Sequence, residues 1–269
     1  MSEQPLETDD RLLFYLRLES VGRSFPVTRL LVALNCAIFL AMVTLGGADP
    51  FAPAMLVVTH WGSNFGPLTI SGQWWRMITA MFLHIGLLHL AVNMWSLYQT
   101  GALVERMFGS LHFLVLYLVA GLAGNLASLM WNPLVNSAGA SGAVFGVIGG
   151  LLAFMLDTRY GVPRLVMADV RRNVLLIVVL NLGFGFSHAG IDNAAHLGGL
   201  AGGLLAGMML ARPLSAEWRQ LHRWAGIGMT LAATAVLLLG GGAMLGQRIV
   251  RGIEWPARPA VHAPAAPRN

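Results

Sequence analysis

The sequence predicts an all-α protein, a polytopic bundle of transmembrane helices. Of its 269 residues, 56% are hydrophobic and only 11% are charged, which leaves too few charges to cover a soluble globule of this size. The apolar residues also cluster into several stretches close to the roughly 20 residues that cross the hydrocarbon core of a bilayer. A single anchor would explain only one of these stretches, so we expect several spans.

Seven apolar segments are predicted to be spans. They are Leu30–Leu45, Met77–Leu103, Leu111–Trp131, Gly139–Leu156, Val174–Phe186, Asn193–Leu210 and Trp224–Leu245. The fifth is the shortest, and short spans are held less firmly in a bilayer, so it is our candidate for a mobile gate. Between the first two spans, residues 46–76 contain three tryptophans and three prolines, which predicts an interfacial structure at the level of the lipid headgroups.

Basic residues orient these spans. The 17 basic residues are all arginines, and they concentrate before span one and after spans two, four and six. The positive-inside rule therefore predicts a cytoplasmic N-terminus. Arginines at span ends also meet anionic lipid headgroups, so the net charge of +5 does not indicate nucleic acid as a partner. Seven spans would place the C-terminal tail outside although it carries four arginines, which leaves the topology of span seven open.

The chain is predicted to divide into four parts. Residues 1–28 form a short cytoplasmic segment, residues 29–212 a core of six spans, residues 213–250 a linker with the seventh span, and residues 251–269 a disordered tail rich in proline and alanine. The lone cysteine, Cys36, cannot form an intramolecular disulfide.

A glycine-flanked serine opens span four. Most serines in membrane helices bond back to a carbonyl or pack as small residues. Here Gly139 and Gly142 flank Ser141 closely, and glycines leave a hydroxyl uncovered and let a reacting carbonyl approach. Amide N–H groups at the start of the helix could hold a developing oxyanion. Ser141 is therefore a candidate nucleophile.

A histidine stands at a matching depth in span six. A lone histidine on an apolar helix is usually a hydrogen-bonded core residue. However, spans four and six start from the same side of the membrane, so Ser141 and His196 lie at similar depth. Glycines repeat every four residues after both, from Gly142 in span four and from Gly199 in span six, which predicts close packing of the two helices. Within hydrogen-bond reach, such a pair is an activated nucleophile.

Span two carries a third polar group. His89 and Asn93 are four residues apart and share a helix face, and their side-chain N–H donors suit an oxyanion hole. In a continuous helix His84 would point the opposite way from Asn93, so we interpret His84 as structural.

The three motifs, in this order, resemble the rhomboid family of intramembrane proteases. The motifs are His-x4-His-x3-Asn in span two, Gly-x-Ser-Gly opening span four and Ala-His-x-Gly-Gly opening span six. Trp75-Arg76 before span two and Gly101-Ala102 through Glu105-Arg106 at its end resemble the family too. The resemblance covers about residues 29–212 and implies a rhomboid-like six-helix core, with the seventh span giving a six-plus-one arrangement.

The resemblance implies a serine endopeptidase that cleaves membrane proteins within or near their transmembrane segments. Ser141 would attack and His196 would move the proton, with no carboxylate third member, no cofactor and no metal. Asn93, His89 and the Ser141 amide would stabilise the oxyanion. Phe145 takes the place of an aromatic residue that stacks on the histidine in the family, and we assign supporting roles to it and to Gly139, Gly142 and Gly199.

The resemblance also implies partners and a location. Substrates would be single-span membrane proteins within the lipid bilayer, and the oligomeric state stays open. We expect a bacterial cytoplasmic (inner) membrane, with the site opening to its outer side.

Two other interpretations compete with a serine protease. A non-catalytic rhomboid-like protein could capture membrane helices, although such relatives usually lack the serine or the histidine. A metal-dependent membrane enzyme or transporter is suggested by His84, His89, His188, His196 and Asp192, since imidazole suits zinc. However, the chain has no His-Glu-x-x-His spacing, and on a continuous helix His84 is predicted to face away from His89.

Overall fold

The structure is a computed structural model that describes residues 24–156, 191–211 and 223–250, with isolated positions at 12, 16, 166, 168, 172, 174–176, 178 and 179. The predicted head and tail lie outside the described residues, apart from residues 12, 16 and 24–28 of the head. Most of the predicted fifth span, the gate hypothesis attached to it, and His188 also lie outside them.

Helices dominate the described residues. They are α1 (Pro26–Thr44), α2 (Met55–His60), α3 (Gly66–Thr69), α4 (Arg76–Thr79), α5 (Leu87–Phe108), α6 (Ser110–Trp131), α7 (Ser141–Leu156), α8 (Asn193–Leu210) and α9 (Arg223–Val250), with a 3-10 turn at Ala80–Phe82. Strands β1 (Asn64–Phe65) and β2 (Asn136–Ser137) have two residues each. The predicted all-α class is confirmed.

Several of these helices have the length and composition of membrane spans. Among the described residues, Pro26–Thr44, Ser110–Trp131 and Trp224–Gln247 are long and apolar enough to cross a bilayer, and a bent pair ending at Phe108 adds a fourth. Helix α7 is shorter, but it is apolar throughout. The predicted first, third and seventh spans agree with α1, α6 and α9.

The prediction of one continuous second span over Met77–Leu103 is wrong. Arg76–Phe82 and Leu87–Phe108 meet at an angle of 92°. Gly86 breaks the helix with φ +94, and a Cβ there would lie 2.6 Å from the Phe51 carbonyl oxygen. Only glycine fits this position, and hydropathy does not register the break because the flanking residues remain apolar.

The buried carboxylate of Glu105 joins the ends of three helices. It accepts hydrogen bonds from the backbone N–H of Val27 at 3.0 Å and of Thr28 at 2.7 Å, and from the Thr28 hydroxyl at 2.7 Å. Ser110, the first residue of α6, donates a fourth at 2.6 Å. Glu105 therefore caps α1 from α5, and its four donors offset the cost of burying the charge.

Residues 46–76 form a folded cover over one end of the bundle. Arg76 donates to the carbonyls of Thr59 at 2.7 Å and Ser63 at 3.1 Å. Strand β1 pairs antiparallel with β2, the segment that precedes Ser141. These bonds anchor the approach to α7, while Phe51 and Leu56 remain exposed on the outside of the cover.

Helices α6, α7 and α8 form the core. Tyr117, Phe113 and Leu116 of α6 and Phe154 of α7 are fully buried. The predicted close packing of the two glycine-bearing helices is confirmed, because Cβ atoms at Gly199 and Gly203 of α8 would overlap the backbone of Gly142 and Gly146 of α7. Backbones pack this closely only where side chains are missing.

Helix α9 covers the outside of this core. Its Leu245 packs with Leu126 and Leu129 of α6 and with Met77. Most other large side chains along it, such as Val236 and Leu239, are exposed. Such a face is suited to lipid.

Candidate active site

Ser141 and His196, the two candidate catalytic residues, are in contact. His196 Nε2 lies 2.9 Å from Ser141 Oγ, a hydrogen-bond distance. Ser141 is the first residue of α7, and His196 is the fourth residue of α8 and is only 8% exposed. The contact joins residues 55 positions apart. The close packing of α7 and α8 at their glycines makes it possible.

The aromatic ring of Phe145 fixes the orientation of the His196 imidazole. Phe145 stacks on His196 with ring centroids 4.4 Å apart and an angle of 7° between the planes. Phe145 stands one helical turn after Ser141, so the helix that carries the hydroxyl also fixes the ring that contacts it. Parallel stacking at this distance restricts the rotation of His196 about its outer torsion angle.

The glycines beside the pair set the distance between α7 and α8. A Cβ at Gly142 would lie 3.3 Å from the Ala195 carbonyl oxygen, and one at Gly199 would overlap Gly142. Neither obstacle is the end of a flexible side chain, so a larger residue at Gly199 must push the helices apart. The same displacement would separate His196 from Ser141.

His89 is held in one tautomer by the chain that precedes it. Ile85 N–H donates to His89 Nδ1 at 3.3 Å, so the neutral ring must carry its hydrogen on Nε2. A Cβ at Gly139 would lie 3.1 Å from this nitrogen and 3.7 Å from Ser141 Oγ. The missing side chain at Gly139 therefore opens the space between the His89 donor and the Ser141 hydroxyl.

Asn93 lies one turn further along α5 and is buried. Its Nδ2 donates to the His89 carbonyl at 2.9 Å, which leaves the second amide hydrogen for another acceptor. Asn93 and His89 both belong to α5, which packs against α7, the helix that begins at Ser141.

The prediction that His84 faces away from His89 is wrong. The two rings are in edge contact with centroids 5.2 Å apart, and His84 is fully buried. The prediction assumed a continuous helix, whereas residues 83–86 precede α5 and fold back over its first turn. His84 therefore packs directly behind a site residue.

Sequence reasoning did not give separate roles to Ile85 and Asp192. Ile85 acts through its backbone, which no residue pattern reveals. The residue pattern suggests Asp192 only as a metal ligand, yet its carboxylate caps α8 by accepting from Ala195 N–H at 3.0 Å. An aspartate directly before an apolar helix is the signal that would have identified this cap.

Within the described residues no three His, Cys, Asp or Glu side chains are grouped as metal ligands would be. His188, which contributed to the metal interpretation, lies outside them.

The chain has a serine and a histidine in hydrogen-bond contact inside an apolar helical bundle. These features place it in the class of membrane proteins that carry a hydrolase-like pair of residues. The family model described as the Rhomboid domain matches residues 71–213, just over half of the chain. The chain therefore belongs to the rhomboid family, as the three motifs predicted, and it is an integral multi-pass membrane protein.

Proteins from three different organisms are similar to this chain. The chain is 40% identical over 186 residues to the rhomboid protease GluP of Bacillus subtilis (strain 168), covering 69% of this chain and 35% of that protein. It is 40% identical over 163 residues to RHOMBOID-like protein 4 of Arabidopsis thaliana, covering 60% and 40%. It is 31% identical over 228 residues to Rhomboid-like protease 1 of Toxoplasma gondii, covering 81% and 76%. The chain thus spans less than half the length of the first two.

Proposed function

We propose that this protein is an intramembrane serine endopeptidase that uses Ser141 and His196 as a catalytic dyad. The observation that carries the proposal is the 2.9 Å contact between His196 Nε2 and Ser141 Oγ in a chain of the rhomboid family. Two of the relatives are named as proteases. A hydroxyl in contact with a held imidazole is the usual form of an activated nucleophile.

The proposed reaction proceeds through an acyl-enzyme. Ser141 Oγ attacks the scissile carbonyl carbon while its proton passes to His196 Nε2, which then gives that proton to the leaving amine. Water, deprotonated by the same nitrogen, hydrolyses the ester and frees Ser141. No other proton carrier is required.

Three donors would stabilise the oxyanion of the tetrahedral intermediate. Ser141 N–H belongs to the first residue of α7 and has no partner within the helix. His89 Nε2–H and the free amide hydrogen of Asn93 come from α5. Gly139 keeps the space between them open, and fixed donors of this kind contribute most where water is excluded.

The proposed substrates are single-span membrane proteins, met within the lipid bilayer. A helical peptide bond must leave its hydrogen-bond ladder before it can be attacked, so substrates with small or helix-breaking residues should be favoured. The arginine distribution supports a cytoplasmic N-terminus. We further propose that the site opens to the outer side of a bacterial inner membrane. In this proposal residues 29–212 form the protease core, and residues 1–28, 213–250 and 251–269 flank it.

The proposal is tested by cleavage of a model single-span substrate in proteoliposomes. Wild type, Ser141→Ala and His196→Ala are each assayed with and without a chelator. We expect wild type to cleave and both variants to lose activity by at least about a thousandfold. Cleavage by Ser141→Ala would reject the dyad, and loss of wild-type cleavage only when the chelator is added would favour a metal enzyme.

A further inference from the structure

Two arginine side chains converge on the Phe25 ring at the end of the bundle where α1 begins and α5 ends. The guanidinium carbon of Arg29 lies 4.4 Å from the centroid of this ring, and that of Arg106 lies 5.0 Å from it. The two cations are therefore no further apart than these two distances combined. Like charges at such a separation repel, and the electrons of one aromatic ring offset only part of that repulsion.

The carboxylate beside Arg106 is already used by other donors. Glu105 Oε1 accepts from Val27 N–H and the Ser110 hydroxyl, and Oε2 accepts from the N–H and the hydroxyl of Thr28. Two hydrogen bonds fill the lone pairs of each oxygen. Arg106 Nε is buried and has no hydrogen-bond partner among the described residues. The pair of arginines therefore needs an anion from outside this group.

The arginine pair lies at the opposite end of α5 from the candidate active site. Arg106 stands about 25 Å along this helix from His89, at about 1.5 Å per residue. That separation is close to the roughly 30 Å thickness of the hydrocarbon core. An α5 that crosses the membrane therefore carries Arg106 at the level of the lipid headgroups. Arg29 is exposed and Arg106 is partly exposed, so a headgroup can reach them.

Exposed apolar side chains continue from the arginine pair along α1 and α5, two helices that pack against each other. Tyr98 is in edge contact with Phe25, with ring centroids 5.6 Å apart. Tyr98 and its exposed apolar neighbours on these helices are available to acyl chains, and those neighbours are Leu30, Leu34 and Trp95. The ligand that fits both regions has an anionic head and an apolar tail.

We infer that Arg29, Phe25 and Arg106 form a binding site for the phosphate group of one anionic phospholipid. Guanidinium groups bind phosphate oxygens through paired N–H donors, with bonds of about 2.8 Å. Two arginines and the Glu105 carboxylate leave one net positive charge, which a single phosphodiester neutralises. Phosphatidylglycerol has this chemistry. A lipid bound here would contact both α1 and α5 and stabilise the folded protein, whether or not the protein is a protease.

The test measures phosphatidylglycerol binding by the full chain in a neutral detergent. Bound lipid is counted by native mass spectrometry, and the thermal midpoint is measured with added phosphatidylglycerol, phosphatidylcholine or inorganic phosphate. The variants are Arg29→Gln, Arg106→Gln and Phe25→Leu, the last of which keeps both charges. Arg172→Gln is the matched control, because Arg172 is an exposed arginine outside the site.

We expect wild type to bind phosphatidylglycerol at least about tenfold more tightly than phosphatidylcholine, since two arginines contribute. Arg29→Gln and Arg106→Gln should each weaken this binding about fivefold, and Phe25→Leu should weaken it because the ring no longer holds the guanidinium groups together. Arg172→Gln should bind like wild type. Arg29 is exposed, so Arg29→Gln should keep the lipid-free thermal midpoint and carries the test if Arg106→Gln unfolds.

Equal losses of binding in Arg29→Gln and Arg172→Gln would overturn the inference, because diffuse charge would then explain the attraction. Equal binding of phosphatidylcholine and phosphatidylglycerol would overturn it as well. Wild-type binding in Phe25→Leu would remove the ring from the site. A thermal midpoint raised as much by inorganic phosphate as by phosphatidylglycerol would identify a free anion rather than a lipid as the ligand.

Discussion

Helices α8 and α9 are both rich in glycine, but their glycines face different surroundings, apart from Gly226 of α9, which lies against the Met209 carbonyl of α8. Cβ atoms at Gly199 and Gly203 of α8 would overlap the backbone of α7, whereas nothing lies within 4 Å of such atoms at Gly228, Gly240 and Gly246 of α9. The comparison shows that glycine spacing in a membrane helix permits close approach without indicating whether a partner is present. A set of Gly→Ala substitutions would test this difference directly.

The largest effect is expected at Gly199. Gly199→Ala places a methyl group into the Gly142 backbone, so the helices must separate and the Ser141–His196 contact must lengthen. We expect cleavage to fall by about a hundredfold or more and unfolding free energy to fall by roughly 1–3 kcal/mol. Substrate cleavage and thermal unfolding in the same detergent would measure both. Activity within twofold of wild type would contradict the close packing of α7 and α8 at these glycines.

A smaller effect, mainly on activity, is expected at Gly139. This residue has φ +145, and a Cβ would lie 2.9 Å from His89 Cε1. Gly139→Ala should cost about 1–2 kcal/mol of stability from the backbone alone and should lower kcat by about tenfold through displacement of the His89 donor.

Gly72 provides the matched control for Gly139. It has φ +115, but a Cβ there meets nothing within 4 Å. Gly72→Ala should therefore reproduce the backbone strain and keep kcat near the wild-type value. Equal losses of kcat in Gly72→Ala and Gly139→Ala would show that His89 is not the cause.

Gly241 of α9 should tolerate substitution by alanine with little effect. A Cβ at Gly241 would lie 2.7 Å from Leu126 Cδ2, the end of a flexible side chain that can rotate away. We expect Gly241→Ala to change stability by less than about 1 kcal/mol and to leave cleavage intact, as measured by the same unfolding and cleavage assays. A loss comparable to that of Gly199→Ala would mean that α9 packs as tightly as α8.

The smallest effect is expected at Gly240, where alanine meets open space. Because alanine favours helix over glycine by about 1 kcal/mol, Gly240→Ala should leave cleavage unchanged and raise the thermal midpoint slightly. Destabilisation instead would reveal a partner on this face of α9.

The prediction that Ser141 and His196 meet could be made from the sequence because the observations behind it are local and repeat along each helix. The matching depth of Ser141 and His196 and the glycines after each are properties of regular helices, which follow from residue spacing. The predicted limits of Asn193–Leu210 coincide with α8. Regular structure of this kind can be predicted from one sequence.

The failures occurred where geometry depends on residues distant in sequence or on a break in a helix. The bend at Gly86 moved His84 onto His89 and ended the assumed second span. At this bend Gly86 lies against the Phe51 carbonyl, a contact that no spacing rule contains. From the sequence, Glu105 stands out only as part of the family pattern. Its bonds to Val27 and Thr28 join α1 and α5, which are distant in sequence, so no local pattern reveals them.

The Glu105 cap has a consequence for the order of assembly. The N–H groups of Val27 and Thr28 leave the ribosome 78 and 77 residues before the carboxylate that accepts them. At a synthesis rate of about 5–20 residues per second, α1 enters the membrane some 4–15 seconds before its cap exists. We therefore expect α1 to rotate freely until α5 is inserted. Cysteine cross-linking between the two helices in arrested nascent chains of increasing length should show one register appearing only after residue 105 has emerged.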